Sequence, residues 1–548
     1  MKKQLLTYSA LLCSSIVALS SCSLFGGKKN AAKDEYSGDR LILNLRNLYF
    51  EQWTGSDTYT STLNEKFKVD IRPTSYDYTS WDQQVSGQVQ GGSLGDVFHF
   101  DLESFNFGNT YAQWAKGLIK ALPTDLSKWP NIKNLIDHTS NIDSLKIDGK
   151  IYGIPIAYNP KNPEKTFSSF TYVYRRDWVK EIDRRCAAGT MNVDGYPLFR
   201  ENDVYTWEEF NNVVNGLAQF VDSQTAVIGD ASWGFPSLTN FYKDSPHCYS
   251  VDSNGKVRNA FTTDSYIKGL DKTRTFIAQN KYFDQVSNEK DQNAAIDQFR
   301  GGKIAIVYEN FSYANYFKMR NKIKENQAKN PNFTEQDLDD RTAFMKVKNE
   351  DGNFCLEGSE NWYSMTFFNA QISDNKMNKI LDILEYLLTD EGTRFATFGK
   401  EGRDYTYNDG EIELIEENWP KTSTGKYSEK ENGAKFLRNM ITLGHDTIAV
   451  DPFTDQKCYQ LINSWQGEMQ VAKNNGKLNI FMEPGNVKWL STTLKDRNTS
   501  GLIKEGNKFA MNYCNAITGY ETKDKYKAAF NTAKWTDTIN EINSALGK

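Results

Sequence analysis

A strand-like run interrupted by a proline, Asp148-Gly-Lys-Ile-Tyr-Gly-Ile-Pro-Ile-Ala-Tyr-Asn159, constrains this chain more than any other stretch. Asp148-Gly149 is a tight-turn dipeptide, Ile151, Ile154 and Ile156 favour extended backbone, and Pro155 removes a donor in their midst. A central strand does not accommodate that loss. The stretch reads as a strand leaving its sheet, the first crossing between two lobes, with a site in the cleft beside it.

The rest of the chain alternates strand and helix signals. Leu41 to Leu45, Lys68 to Ile71, Val97 to Phe100, Phe170 to Tyr174, Lys303 to Tyr308 and Met365 to Phe368 are extended runs. Between them lie helical stretches: Asp57 to Glu65, a capping box at Thr206-Trp-Glu-Glu209, and apolar positions from Met377 to Leu388. Such alternation predicts an α/β fold with a largely parallel sheet, whose ligands sit at the carboxyl ends of strands. Glu309-Asn310 reads as a second crossing and Trp362 as a third. Lys318 to Arg341, dense in charge, reads as a solvated excursion without function. Glu411 to Lys548 is mixed helix and loop, ending in a helix with Trp535, Ile539, Ile542 and Leu546 on one face.

A length of 548 residues allows two to about four domains. A net charge of −5 excludes a basic nucleic-acid-binding face. Lys2-Lys3, the apolar Leu5 to Ala18 and Leu19-Ser-Ser-Cys22 form a targeting leader over residues 1–21. The last four residues resemble a bacterial lipobox. That implies cleavage before Cys22, lipid on its sulfur and amino group, and a flexible tether to Gly38; an ordinary secretory signal is the alternative. No later stretch is long and apolar enough to span a bilayer. Five cysteines then remain (Cys186, Cys248, Cys355, Cys458, Cys514), too irregular for a disulfide framework or a metal site, and read as free thiols.

Three stretches, in order, resemble the extracellular solute-binding proteins of ABC importers, the family of maltose-binding protein and its longer lipoprotein relatives. They are Gly149-Lys-Ile-Tyr-Gly-Ile-Pro155 with Tyr172-Val-Tyr174 and Arg176-Asp177; Phe299-Arg-Gly-Gly-Lys303 with Ile304-Ala-Ile306; and Tyr386-Leu-Leu-Thr-Asp-Glu-Gly392. The resemblance implies a type II two-lobed periplasmic-binding-protein-like fold, with three crossings and the ligand between the lobes. Residues 36–155 plus 311–362 are expected as the N-lobe and 156–310 plus 363–548 as the C-lobe. It also implies a monomer outside the cytoplasm, held to the membrane by its anchor alone, with ABC permease subunits as partners. Arg175, where relatives commonly carry Asn, and the long C-terminal part depart from the pattern.

A sugar offers an apolar face and a rim of hydroxyls, so its receptor needs aromatic platforms and planar polar groups. Residues at the predicted strand ends and crossings have that composition: Tyr49, Phe50, Trp53, His99, Asp101, Glu103, Tyr158, Asn159, Trp233, Phe235, Glu309, Asn310, Trp362, Tyr363 and, from the C-lobe, Arg403. Lobe core is the competing explanation for each aromatic taken singly. His99, Asp101 and Glu103 share a face in extended chain, which permits a metal site or an acid/base pair; solvated strand-end positions explain them equally. No calcium loop, G-x-S-x-G, H-E-x-x-H, P-loop or G-x-G-x-x-G occurs. The expectation is a receptor, not an enzyme, without cofactor, binding a carbohydrate of oligosaccharide size or another small solute. A surface glycan-binding lipoprotein and an extracytoplasmic polysaccharide-degrading enzyme are the alternatives.

Overall fold

The computed structural model describes the chain except residues 1–32, 48–49, 51–52, 77–83, 86, 89–93, 101–106, 159–169, 222–226, 231–236, 243–248, 284–293, 359, 409–410, 420–431, 443–454 and 482–498. The chain builds one sheet, moves to a second, returns to the first and ends on the second.

The first sheet opens with Tyr36–Ser37 (β1), Arg40–Asn47 (β2), Val69–Ser75 (β3), Val97–Phe100 (β4) and Gly153–Ala157 (β5). Leu41, Leu43 and Leu45 alternate along β2 and are buried, and β2 pairs in parallel with β3 and β4. Between β2 and β3, Asp57 caps the helix Thr58–Phe67 by accepting from the N–H groups of Tyr59 and Thr60. β5 is an edge strand, which is where Pro155 is tolerated.

The second sheet takes Phe170–Tyr174 (β6), Val204–Tyr205 (β7), Ile228–Asp230 (β8), Tyr282–Phe283, Ile306–Asn310 and Ala343–Val347. With the hairpin Tyr249–Val251 (β9) and Val257–Asn259 (β10) counted first, the last three are β11, β12 and β13. The spatial order is β11-β8-β12-β6-β13-β7, with β6 antiparallel to both neighbours. Phe354–Glu357 (β14) follows, and Trp362–Phe368 (β15) then inserts into the first sheet, antiparallel to β4 and β5.

Helices Asp374–Leu388 and Asp390–Phe398 cover the first sheet, and a hairpin of Tyr405–Asn408 (β16) and Glu411–Leu414 (β17) leads on toward the helix Gly433–Arg438. The chain ends on the second lobe. Helix Gln456–Asn474 joins its core, and Leu478–Phe481 (β18) pairs in parallel with β14. Helices Thr499–Cys514, Lys523–Ala529 and Ala533–Ala545 pack on helix Asp264–Ala278 and the β9–β10 hairpin.

The fold is the expected α/β arrangement of two lobes, but the chain divides between them differently. Residues 311–357 join the second lobe, not the first. Ser312 accepts from the Asn315 N–H and caps the helix Tyr313–Asn326, which turns the chain back onto the sheet it has just built, with Tyr316, Met319 and Ile323 packed in that core. The described residues between 362 and 442 belong with the first lobe, because β15 lies between β4 and β5 and the helices after it fill the first core. Glu309-Asn310 is therefore a strand end inside the second sheet, not a crossing. The described chain passes between the lobes after Tyr158, between Gly358 and Glu360, and after Thr442.

Candidate ligand-binding site

The three passages leave the first lobe side by side. Ala157 pairs with Trp362 on one side, while on the other its N–H donates to the Ile441 carbonyl at 3.0 Å. One residue further, the Tyr158 N–H donates to the Asn361 carbonyl at 3.0 Å. The carboxyl end of β5 lies at this edge, beside the first residue of β15, and β2, β3 and β4 run in the same direction as β5. In the second lobe Asn310, the last residue of β12, pairs with Phe170, the first residue after the first passage. β8 and β13 run parallel to β12. Both sheets thus turn strand carboxyl ends toward the passages, the position at which open α/β sheets receive ligands.

Several residues expected at the site are built into the lobes instead. Phe50 and Trp53 are buried and meet edge to face at 4.6 Å; the Trp53 indole N–H lies 2.9 Å from Thr60 Oγ1 and 3.1 Å from Asp57 Oδ2. Trp362 is buried, its indole donating to the Ser140 carbonyl at 3.1 Å. His99 is wholly buried; its Nε2 lies 2.6 Å from Ser364 Oγ, whose hydroxyl donates to the Phe100 carbonyl, and burial pushes the imidazole down to about 3. A neutral core histidine results. These side chains lost the site role because the hydrogen bonds that satisfy their polar atoms come from inside the lobe.

Arg403 was expected from the C-lobe and stands on the first. It ion-pairs with Asp404, reaches Thr58 Oγ1 at 3.3 Å, and lies over the Tyr59 ring at 5.4 Å. An open groove of about 570 Å³ runs there between the hydroxyls of Thr58, Ser61 and Thr62 and the turn Lys400 to Arg403.

At the passages themselves the structure places Tyr158, Glu309 and Asn310. Tyr158 is 40% exposed, the most open aromatic among the described site residues. Glu309 is buried, with Oε2 lacking any hydrogen-bond partner. Burial pushes its carboxyl up to about 7, while the Asn310 backbone N–H and the Arg300 charge pull it back. The Asn310 carbonyl accepts from the Asn315 side chain at 2.9 Å. Tyr49, Asp101, Glu103, Asn159, Trp233, Phe235 and Cys22 lie outside the described residues, as does the side chain of Tyr363.

Two features were missed in the sequence. Helix Gly433–Arg438 brings Phe436 flat against Trp53 at 5.7 Å and a buried Arg438 to the passage edge. Its only sequence signal was Asn432-Gly433 ahead of a short apolar run. The second is the polar pair Glu360-Asn361, buried at the middle passage and bound to the loop His138 to Asn141. Among the described residues no group of three or more His, Cys, Asp or Glu is placed to hold a metal ion, and no helix is long and apolar enough to cross a membrane. The described cysteines Cys186, Cys355, Cys458 and Cys514 form no disulfide with one another.

The same architecture recurs in solved structures. An HMO-binding, ABC-transporter-associated solute-binding protein from Bifidobacterium longum infantis aligns with a TM-score of 0.62 at 14% identity, covering 93% of this chain and 99% of its own. The N-glycan transport solute-binding protein of Streptococcus pneumoniae aligns at 0.55 and 14%, covering 92% and 98%. FusA of S. pneumoniae, an ABC-transporter substrate-binding protein in complex with kestose, aligns at 0.55 and 12%, covering 92% and 99%. These likenesses establish the two-lobed solute-binding fold. Comparison with curated protein sequences returns no match. The profile of one family matches residues 58–397, well over half of the chain and spanning both sheets. The chain belongs to the bacterial extracellular solute-binding protein family.

Proposed function

We propose that this chain is the lipid-anchored receptor of an ABC importer, closing its lobes on an oligosaccharide and delivering it to the permease subunits without making or breaking a bond. The observation that carries the reading is the convergence of strand carboxyl ends from both sheets on three adjacent passages. A ligand held there touches both lobes, so its binding energy favours the closed arrangement. Tyr158, exposed at the first passage, offers an aromatic platform of the kind a sugar needs, and Tyr49, Asp101, Asn159, Trp233, Phe235 and Tyr363 are the further candidates that the sequence supplies. Neighbours of the same fold bind HMO, N-glycan and kestose, which supports a carbohydrate over an amino acid or peptide. The lipobox-like Leu19 to Cys22 supplies the anchor, and the receptor works as a monomer.

The test is a thermal-shift screen of the chain from Ala31 onward against malto-, fructo- and galacto-oligosaccharides, with amino acids and peptides as controls. At a hundredfold its dissociation constant a bound sugar adds about 2.7 kcal/mol to the native state, enough to raise the midpoint by a few degrees. A shift with one sugar series and no reducing ends released supports the reading. Release of reducing ends shows an enzyme, and shifts with peptides alone reject the carbohydrate.

A further inference from the structure

The middle passage is the shortest of the three, and its two ends are fastened to different lobes. On the second-lobe side the Gly358 N–H donates to the Phe481 carbonyl at 2.8 Å, at the end of the β14–β18 pair. On the first-lobe side Glu360 and Asn361, both buried, are gripped by the loop after helix Pro130–Asp137, whose Ile132, Leu135 and Ile136 are part of the first core. Ser140 Oγ donates to Glu360 Oε2, and Asn141 Nδ2 donates to Glu360 Oε1 at 2.6 Å. Asn361 Oδ1 accepts from the Ser140 N–H at 2.9 Å, its Nδ2 donates to the His138 carbonyl at 2.5 Å, and its N–H donates to Ser140 Oγ at 3.1 Å. The Trp362 indole adds a bond to the Ser140 carbonyl at 3.1 Å.

We infer that Glu360 is a positioning residue for lobe closure: it clamps the middle passage to the first lobe, so that rotation is confined to the Gly358 side of the clamp. A buried carboxylate that accepts two side-chain hydrogen bonds holds its partners far more firmly than a surface contact does. The clamp is also tied laterally. Asn361 receives the Tyr158 N–H, and the next strand position, Ala157, receives support from Ile441, so fixing Glu360 fixes where all three passages leave the first lobe. The inference rests on the reading that the lobes close on a ligand, and its primary test needs no ligand.

Nitroxides carried on unnatural amino acids replace the exposed Lys133 of the first lobe and Lys322 of the second, and the inter-lobe distance distribution is measured without ligand. Glu360→Ala broadens that distribution and removes amide-exchange protection from Asn361 and Trp362. Glu360→Gln, which keeps an acceptor for Asn141 and a bond to the Ser140 hydroxyl, restores both. Ser140→Ala serves as the milder lesion should the alanine variant at 360 not fold. In a second arm, fructo- and galacto-oligosaccharides are titrated, and Glu360→Ala binds the responding series about tenfold more weakly, as when one molecule in ten keeps the competent arrangement. An unaltered distance distribution in Glu360→Ala overturns the inference. A distribution that responds to Glu360 while no sugar binds leaves the clamp standing and rejects the carbohydrate reading.

Discussion

Glu309 is a carboxyl in the wrong solvent. Its Oε2 has no partner and its burial pushes the group up to about 7, so between its ordinary value and neutrality the folded chain holds a proton that the unfolded chain has released. The sign follows: the contribution is fully present at low pH, near and below the ordinary glutamate value, and is lost as pH rises through about 7. At pH 8 the ionised side chain costs about 3 kcal/mol relative to the neutral one at most. Glu309→Gln, neutral at every pH, is expected to be more stable than the parent at pH 8, with the gap closing toward pH 5, as read by urea denaturation across that range. A gap that does not change with pH shows that the site is wetter than its burial implies. Arg320 makes the complementary point. Its charge-dense segment read as a solvated excursion, yet the guanidinium is buried and pairs with Asp339 at 2.8 Å. Charge density along a chain says how many groups are polar, not which of them are partnered.

At the scale of elements, what was legible were features encoded within about ten residues. The helix after Asp57, the capping box at Thr206, the strands Val97–Phe100 and Phe170–Tyr174 and the final helix are where local signals place them. The insertion of β15 between β4 and β5 was not legible, because its partners lie more than two hundred residues upstream and no periodicity specifies them. The same reason misassigned Trp362, whose indole donates to the Ser140 carbonyl far upstream: an aromatic at a strand end looks alike whether its indole faces a sugar or a backbone carbonyl. Gly433 marks one contact of this long-range kind. A Cβ there would meet Thr60 Oγ1 at 1.9 Å and Trp53 Nε1 at 2.7 Å, so the helix Gly433–Arg438 approaches the helix Thr58–Phe67 only because the position is bare. Gly433→Ala is expected to destabilise the first lobe by about 1–3 kcal/mol. The check is a reduced urea midpoint with loss of the Trp53 fluorescence environment; an unchanged midpoint shows that the two helices separate freely.

For the whole molecule, the order in which the chain visits the lobes decides what each end of it stabilises. The second lobe is begun at Phe170 but closed only by the last fifty residues, which cover Tyr249, Val257, Phe261, Ile267 and Leu270 with Leu502, Met511, Tyr526 and Trp535. Each such apolar side chain contributes about 1.5–3 kcal/mol when buried, so uncovering five of them removes on the order of 10 kcal/mol, comparable to the entire stability of a typical domain. The first lobe has no share in that cluster: its core of β2, β3, β5 and the helices from Asp374 to Phe398 is complete before the third passage. Ending the chain at Asn498 is therefore expected to abolish amide-exchange protection in helix Asp264–Ala278 and the β9–β10 hairpin while β2 and β15 stay protected. Sugar binding is lost with it, since one lobe then has no ordered partner to close against. Protection lost equally from both sheets contradicts this division and shows that the lobes fold as one cooperative unit, in which case the passages transmit stability as well as motion.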